Sequence, residues 1–118
     1  MIVAAMGAGQ VEVGDVVLRL VVAAALGGVI GLEREFHGRP AGLRTHIMVC
    51  LGATVVMLAT SALSRLAPEL ALRLDPGRIA AGVVTGIGFI GAGAILRLKN
   101  TNRGLTTAAC IWVVAALG

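Results

Sequence analysis

Two stretches of eighteen residues contain no charged side chain, and they constrain the fold more than any other feature. They are residues 47–64, IMVCLGATVVMLATSALS, and residues 79–96, IAAGVVTGIGFIGAGAIL. A third apolar run, 16–32, holds one charge, and a fourth, 104–118, holds none. About 20 apolar residues in a helix cross the hydrocarbon core of a bilayer, whereas buried strands usually have about 4–8 residues. The runs therefore predict membrane helices.

The composition of the chain is that of a membrane protein. Hydrophobic residues make up 58% and charged residues 14%, whereas soluble chains carry about 25% charged residues. Strict alternation of apolar and polar residues is absent, so an outer-membrane β-barrel is not expected. The sequence predicts an all-α membrane protein, a compact bundle of about four transmembrane helices in a single domain covering 1–118. The helices are expected at about 15–35, 42–64, 78–97 and 103–118.

Lysine and arginine lie mainly at the ends of the apolar runs. The connectors 33–46 and 97–103 hold six of the ten, against four on the other side. Because positively charged loops stay in the cytoplasm, we expect these connectors there and the N-terminus outside. The chain has one Trp and no Tyr, so it offers no platform for stacking bases. The bilayer is the expected environment, and no nucleic-acid partner is expected.

Local signals flank the apolar runs. Asp15 and Arg19 have the i,i+4 spacing of a helical ion pair. Leucines spaced by four within residues 66–74 predict a short interfacial helix. GLRT at 42–45 and GLTT at 104–107 each open an even-numbered helix, which indicates two helix-pair repeats. The N-terminal segment lacks the positively charged start of a signal peptide.

The connector after the first run, residues 31–46, reads GLEREFHGRPAGLRTH and holds five charged residues and two histidines. Glu33 and Glu35 close helix 1, where the helix dipole disfavours carboxylates, and Arg44 opens helix 2, where it disfavours cations. We therefore expect one carboxylate within salt-bridge reach of Arg44 or of the arginines in 97–103. A solvated linker is the alternative. The predicted polar cluster, a candidate binding site, comprises Glu33, Arg34, Glu35, Arg44, Thr45, His46, Arg97, Arg103, Thr106 and Thr107.

Small residues share helix faces in the first and third runs. Glycine in a helix costs about 1 kcal/mol relative to alanine, and in membranes small residues let helices approach closely. These faces are expected to pack against neighbouring helices or to bind a partner, including a second copy of the chain. A homo-oligomer is expected, with a dimer favoured. The predicted packing residues are Ala24, Gly27, Gly31, Gly82, Gly86, Gly88, Gly91 and Gly93.

The acidic residues offer little for a metal. Magnesium binds one or two carboxylates and keeps several waters, so Glu33 and Glu35 are the candidates for Mg²⁺, and no other cofactor is expected. The apolar runs contain no acid, so a cation path through one chain would depend on Thr54, Thr60, Thr85 and backbone carbonyls. The sequence shows no nucleophile–base–acid set and no phosphate loop in a strand–helix context. An enzyme is not expected.

Four blocks of the sequence resemble the membrane domain of the MgtC/SapB family. They are LGGVIGLERE (26–35), RPAGLRTHIMVCLGA (39–53), DPGRIAAGVVTGIGFIGAGAILR (75–97) and RGLTTAACIWVVAALG (103–118). The resemblance implies a multi-pass protein of the bacterial inner membrane with its N-terminus outside. Members of this virulence-associated family are linked to survival at low magnesium and, in some pathogens, to growth inside host cells.

The resemblance also implies a function and a longer chain. Family members usually have a fifth membrane helix, and many have a soluble C-terminal domain, so this chain is expected to be truncated before a fifth helix. The implied function is magnesium and ion homeostasis through regulating or binding another membrane machine, such as the ATP synthase. The alternative is a subunit of a transporter for Mg²⁺ or a small solute, with the path at an oligomer interface.

Overall fold

A computed structural model describes residues 13–66, 69, 75–97 and 101–118, with 97 and 101–103 described by their backbone alone. The described residues contain no strand and form four helices: α1 (Val13–Phe36), α2 (Leu43–Leu66), α3 (Pro76–Arg97) and α4 (Thr101–Leu117). The predicted all-α bundle is confirmed. The N-terminal segment before residue 13 and nearly all of the interfacial helix predicted over 66–74 lie outside the described residues.

Three of these helices are long and apolar enough to cross a membrane. They are α1, α2 and the part of α3 from Pro76 to Leu96, whereas the apolar part of α4, Gly104–Leu117, is shorter. At about 1.5 Å per residue, those fourteen residues of α4 fall short of the hydrocarbon thickness of about 30 Å. The chain is therefore a membrane protein with three helices of spanning length and a shorter fourth.

Capping residues fix the helix ends. Asp75 accepts a hydrogen bond at its Oδ1 from the N–H of Gly77 at 2.8 Å, as an N-cap residue does. Pro76 follows as the first residue of α3, where its missing N–H costs nothing. Inside α1, Asp15 and Arg19 form the predicted ion pair, with 2.8 Å between Oδ2 and Nε.

A glycine turn ends α1 and reverses the chain. Gly38 has a φ of 57°, which glycine adopts without steric cost. The N–H of Arg39 bonds the carbonyl of Arg34 at 2.9 Å, and the N–H of Gly38 bonds the carbonyl of Glu35 at 3.1 Å. This pair of bonds is a Schellman motif, which satisfies the last carbonyls of a helix. It directs the connector back towards α2.

The helices form two hairpins. α1 packs mainly on α2, and α3 packs mainly on α4. α2 also lies against α3 and α4, and α4 touches α1. Ala23, Cys50 and Val114 form the buried apolar cluster where α1, α2 and α4 meet. α3 contributes least to the interior, since 6% of its apolar stretch is buried, against 17% for α1 and 22% for α2.

Glycines bring the first hairpin into backbone contact. A Cβ atom on Gly27 would lie 2.7 Å from the carbonyl oxygen of His46, and one on Gly31 would lie 2.6 Å from the Cα of Leu43. Neither position has room for a larger residue. Lipid provides no hydrophobic drive between helices, so close packing of this kind holds them together.

The second hairpin also has glycines where its helices meet, with longer distances between the helices. A Cβ atom on Gly104 would lie 3.0 Å from the Cα of Ile95, and one on Gly91 would lie 3.4 Å from the Cβ of Ala108. In the first hairpin both glycines belong to the first helix, whereas in the second hairpin the tighter contact has its glycine, Gly104, near the start of the second helix.

Replacing Gly31 with alanine is expected to lower the free energy of unfolding by about 2 kcal/mol, because overpacking forces the backbone apart. The control is Gly14→Ala, since a Cβ atom at Gly14 would meet nothing within 4 Å. Thermal and denaturant unfolding of both purified variants in detergent measures the difference. Equal stability of the two variants would contradict the close contact of α1 and α2.

Candidate functional site

The carboxylate of Glu35 caps α2. Its Oε2 accepts a hydrogen bond from the backbone N–H of Leu43 at 2.9 Å. A Cβ atom on Gly42 would lie 2.9 Å from the same oxygen, so a glycine there leaves space for the cap. The carboxylate is on the last turn of α1 but lies at the N-terminus of α2, where the helix dipole favours a negative charge. The cap thereby offsets its unfavourable place in α1.

Glu33 forms a local surface pair. Its Oε1 lies 3.2 Å from Nδ1 of His37, and the two side chains are 59% and 65% exposed. The same Nδ1 lies 2.8 Å from the backbone carbonyl of Glu33. Exposed pairs of this kind contribute little to stability.

The expected pairing of these carboxylates with Arg44 is wrong. Glu35 binds the N–H of Leu43 and Glu33 binds His37, and neither forms an ion pair with Arg44 among the described residues. Arg44 is exposed, so water solvates its charge, whereas the backbone N–H at the start of α2 needs an acceptor. The side chains of Arg97 and Arg103 lie outside the described residues, so pairing with them stays a prediction.

Arg34 points into the bundle and joins the two hairpins. Its side chain is 6% exposed, and its Nη2 donates a hydrogen bond to Oγ1 of Thr107 on α4 at 3.0 Å. Arg34 lies in the last turn of α1, where the helix dipole favours a cation. Within the described part of the chain, its Nε has no hydrogen-bond partner and no carboxylate forms an ion pair with it.

His46 is fully buried one turn into α2. Its Nδ1 lies 2.9 Å from the carbonyl oxygen of Gly42. A carbonyl only accepts, so Nδ1 carries the proton and donates it. The other ring nitrogen, Nε2, is buried and has no hydrogen-bond partner among the described residues.

The remaining residues of the predicted cluster are more peripheral. Thr45 and Arg44, with Glu35, Gly42 and Leu43, line a cleft of about 470 Å³ beside the connector. Thr106 is exposed on α4, next to the buried Thr107. Within the described ranges, no three His, Cys, Asp or Glu side chains are grouped as metal ligands. Magnesium binding at Glu33 and Glu35 therefore stays a prediction without support from the geometry.

The predicted packing glycines divide into two sets. Gly27, Gly31 and Gly91 contact a neighbouring helix of the same chain, and Ala24 is half-buried. The other set lies on α3, and a Cβ atom at any of its members would meet no atom within 4 Å. This open set is Gly82, Gly86, Gly88 and Gly93.

Comparison with known proteins places these features in a family context. The model of the MgtC family matches residues 20–118. YhiD of Escherichia coli (strain K12), named as a candidate magnesium transporter, is 49% identical over 107 residues, which cover 88% of this chain and 49% of YhiD. The protein MgtC of Salmonella typhimurium is 46% identical over 102 residues, which cover 86% of this chain and 41% of that protein.

A further relative has a somewhat lower identity. The protein SapB of Bacillus subtilis (strain 168) is 41% identical over 106 residues, which cover 88% of this chain and 46% of SapB. The chain thus spans about half the length of these relatives. No solved structure matches the chain.

Replacing Glu35 with alanine is expected to lower the free energy of unfolding by about 1 kcal/mol, as the loss of an N-cap side chain does. The matched control is Glu33→Ala, which removes a negative charge two residues earlier in α1 but breaks only an exposed pair. Hydrogen exchange of the first amides of α2 should rise in Glu35→Ala alone. The same rise in both variants would show that charge, and not the cap, is responsible.

Proposed function

Because this chain belongs to the MgtC family, we propose that it acts in magnesium homeostasis in the bacterial inner membrane by binding another membrane protein. Its N-terminus is proposed to lie outside the cell. The magnesium connection comes from relatives such as YhiD, whose name describes a candidate magnesium transporter. The proposal covers the part of those relatives that this chain shares with them.

The open face of α3 carries the proposal. A Cβ atom on any of four glycines of this helix would meet no atom within 4 Å, although glycine is an unfavourable residue inside a helix. Phe89, on the face shared by Gly82, Gly86 and Gly93, is 85% exposed. Small residues are useful in membrane helices where another helix comes close. Since no helix of the described chain does so here, a partner helix would give these glycines a role.

A second copy of the chain is the first partner proposed. A two-fold dimer requires a surface that is complementary to itself. The face of α3 has both a projecting ring, Phe89, and open spaces above Gly82, Gly86 and Gly93. The ring of one copy fits the space beside a glycine of the other, and the reverse contact forms by symmetry.

The polar groups inside the helices favour binding over conduction by a single chain. Thr54, Thr60 and Thr85 each donate a hydrogen bond to the carbonyl four residues earlier in their own helix, at 2.8 to 2.9 Å. Thr54 and Thr60 are buried and Thr85 is exposed, so the three hydroxyls do not line a common path. The alternative, a transporter subunit, would need a path at an interface between chains.

The test uses the purified chain and its Gly86→Leu variant, with Ala25→Leu on the exposed side of α1 as the control. Light scattering in detergent is expected to give a dimer for the native chain and for the control, and a monomer for Gly86→Leu. The monomer is expected to keep its cooperative thermal unfolding, because a Cβ atom at Gly86 would meet no atom within 4 Å and the groove beside it is open. A dimer that survives Gly86→Leu would contradict the assignment of this face.

The same proteins in liposomes separate binding from transport. With a magnesium-sensitive dye inside the liposomes, we expect no Mg²⁺ flux above that of protein-free liposomes. In a separate experiment, we expect the native chain to co-purify with a membrane protein complex from the bacterial membrane. Saturable Mg²⁺ flux that is lost in Glu33→Ala would reject the binding role and favour the transporter alternative.

A further inference from the structure

The guanidinium of Arg34 is a buried cation without a counter-ion in the described chain. Thr107 supplies one neutral acceptor for Nη2 at 3.0 Å, and Nε–H has none. Burying a charge is costly unless it is paired and its hydrogen-bonding groups are satisfied. None of the five described side-chain carboxylates forms an ion pair with Arg34. The ion pairs of the described residues join Asp15 to Arg19 and Glu33 to His37. An anion from outside the chain would supply both the charge and the acceptor.

Among the described residues, His46 has an unsatisfied hydrogen-bond acceptor, whereas Arg34 has an unsatisfied donor. Its Nδ1–H is engaged by the carbonyl of Gly42 at 2.9 Å, so in the neutral ring Nε2 is an acceptor. This atom is buried without a partner among the described residues. A ligand that satisfies it must therefore donate a proton into a hydrogen bond.

The two unsatisfied atoms belong to side chains near the connector end of the bundle, since Arg34 lies in the last turn of α1 and His46 is the fourth residue of α2. Oγ1 of Thr54 lies 3.2 Å from the carbonyl oxygen of Gly118, and Cys50 belongs to the same buried cluster as Val114. In both pairs the second residue is 64 positions after the residue of α2. The same offset places Thr107 near the start of α2, about one turn before His46.

Three residues of helix correspond to about 4.5 Å of axial rise. The imidazole of His46 is directed towards the connector, because its Nδ1 lies 2.9 Å from the carbonyl oxygen of Gly42. The guanidinium of Arg34 reaches the level of Thr107 from α1, since the two side chains share a hydrogen bond. The unsatisfied atoms thus belong to side chains that approach the same part of the interior, within about one helical turn of each other along the bundle.

We propose that Arg34, Thr107 and His46 form a binding site for a protonated phosphate group. A phosphate oxygen accepts from Nε–H of Arg34, and the P–OH group donates to Nε2 of His46. The negative charge compensates the guanidinium, which recognises phosphate well. Thr107 is a positioning residue, because its hydroxyl holds the guanidinium in place.

The hydrogen-bond pattern discriminates between ligands. A carboxylate, sulfate or phosphodiester offers acceptors alone at neutral pH and leaves Nε2 of His46 without a donor. Water offers a donor and an acceptor but no charge for Arg34. Inorganic phosphate and the phosphomonoester headgroup of phosphatidic acid offer a negative charge, an acceptor and a donor. Both unsatisfied atoms are shielded from solvent, so the ligand enters when the side chains around them move aside.

The experiment measures binding of radiolabelled inorganic phosphate to the full chain by equilibrium dialysis in detergent near neutral pH. One phosphate per chain is expected, with affinity at least tenfold lower in Arg34→Gln and unchanged in Arg44→Gln, an exposed arginine of the same connector. Sulfate should compete at least tenfold more weakly. If Arg34→Gln does not fold, Thr107→Val serves in its place and should weaken binding severalfold.

A second arm distinguishes the source of the phosphate. Nanodiscs of phosphatidylcholine with phosphatidic acid should raise the unfolding temperature of the native chain, and those with phosphatidylglycerol should not, if the ligand is a lipid headgroup. Stabilisation by phosphatidic acid without binding of inorganic phosphate assigns the site to the lipid. The absence of both effects would mean that the site holds water alone and would overturn the proposal.

Equal binding of sulfate, or an equal loss in Arg44→Gln, would also overturn it. This inference stands apart from the proposed partner-binding role of α3. Its failure leaves the dimer and flux results untouched.

Discussion

The backbone contact between α1 and α2 at Gly27 and Gly31 determines how the connector end of the molecule is built. A side chain at either glycine would collide with the backbone of α2. Only this close approach brings the last turn of α1 beside the first turn of α2, so that Glu35 reaches the N–H of Leu43. In lipid, where apolar surface gains nothing by meeting other apolar surface, such contacts and hydrogen bonds are what orient the helices.

The polar residues at this end are arranged by helix polarity and depth. Glu35 caps the positive end of the neighbouring helix, and Arg34, in the last turn of α1, is buried near the negative end of its own helix. The acids are thus occupied by a cap and by a surface pair, while the buried charge is positive. Among the described residues, no carboxylate forms an ion pair with this buried cation. This buried positive charge is one observation that supports the proposed binding role over conduction of Mg²⁺ through a single chain.

The sequence was sufficient to predict the helices, because lipid imposes a length and an apolar content that short strands cannot meet. It also pointed to the charged residues at the ends of the apolar runs, since charges at membrane depth are rare; the complete polar cluster stays a prediction. It did not identify their partners. Arg34 and Thr107 are 73 residues apart, and their contact depends on how the two hairpins pack. The sequence favours a pair between Glu35 and Arg44, because opposite charges are visible in a sequence. It does not show which backbone N–H will lie beside the carboxylate and need an acceptor. The open side of α3 was equally hidden, because packing glycines and unpacked ones look alike in sequence.

The central claim is that the connector end is an organised polar cap that joins the two hairpins through Arg34 and Thr107. A double-mutant cycle with Arg34→Gln and Thr107→Val, measured as the free energy of unfolding in detergent, tests it most directly. A hydrogen bond to a charged group should give a coupling energy of about 2 kcal/mol. If the unfolding free-energy changes of the two single variants sum to that of the double variant within about 0.4 kcal/mol, the claim is contradicted. The connector end would then be a solvated linker.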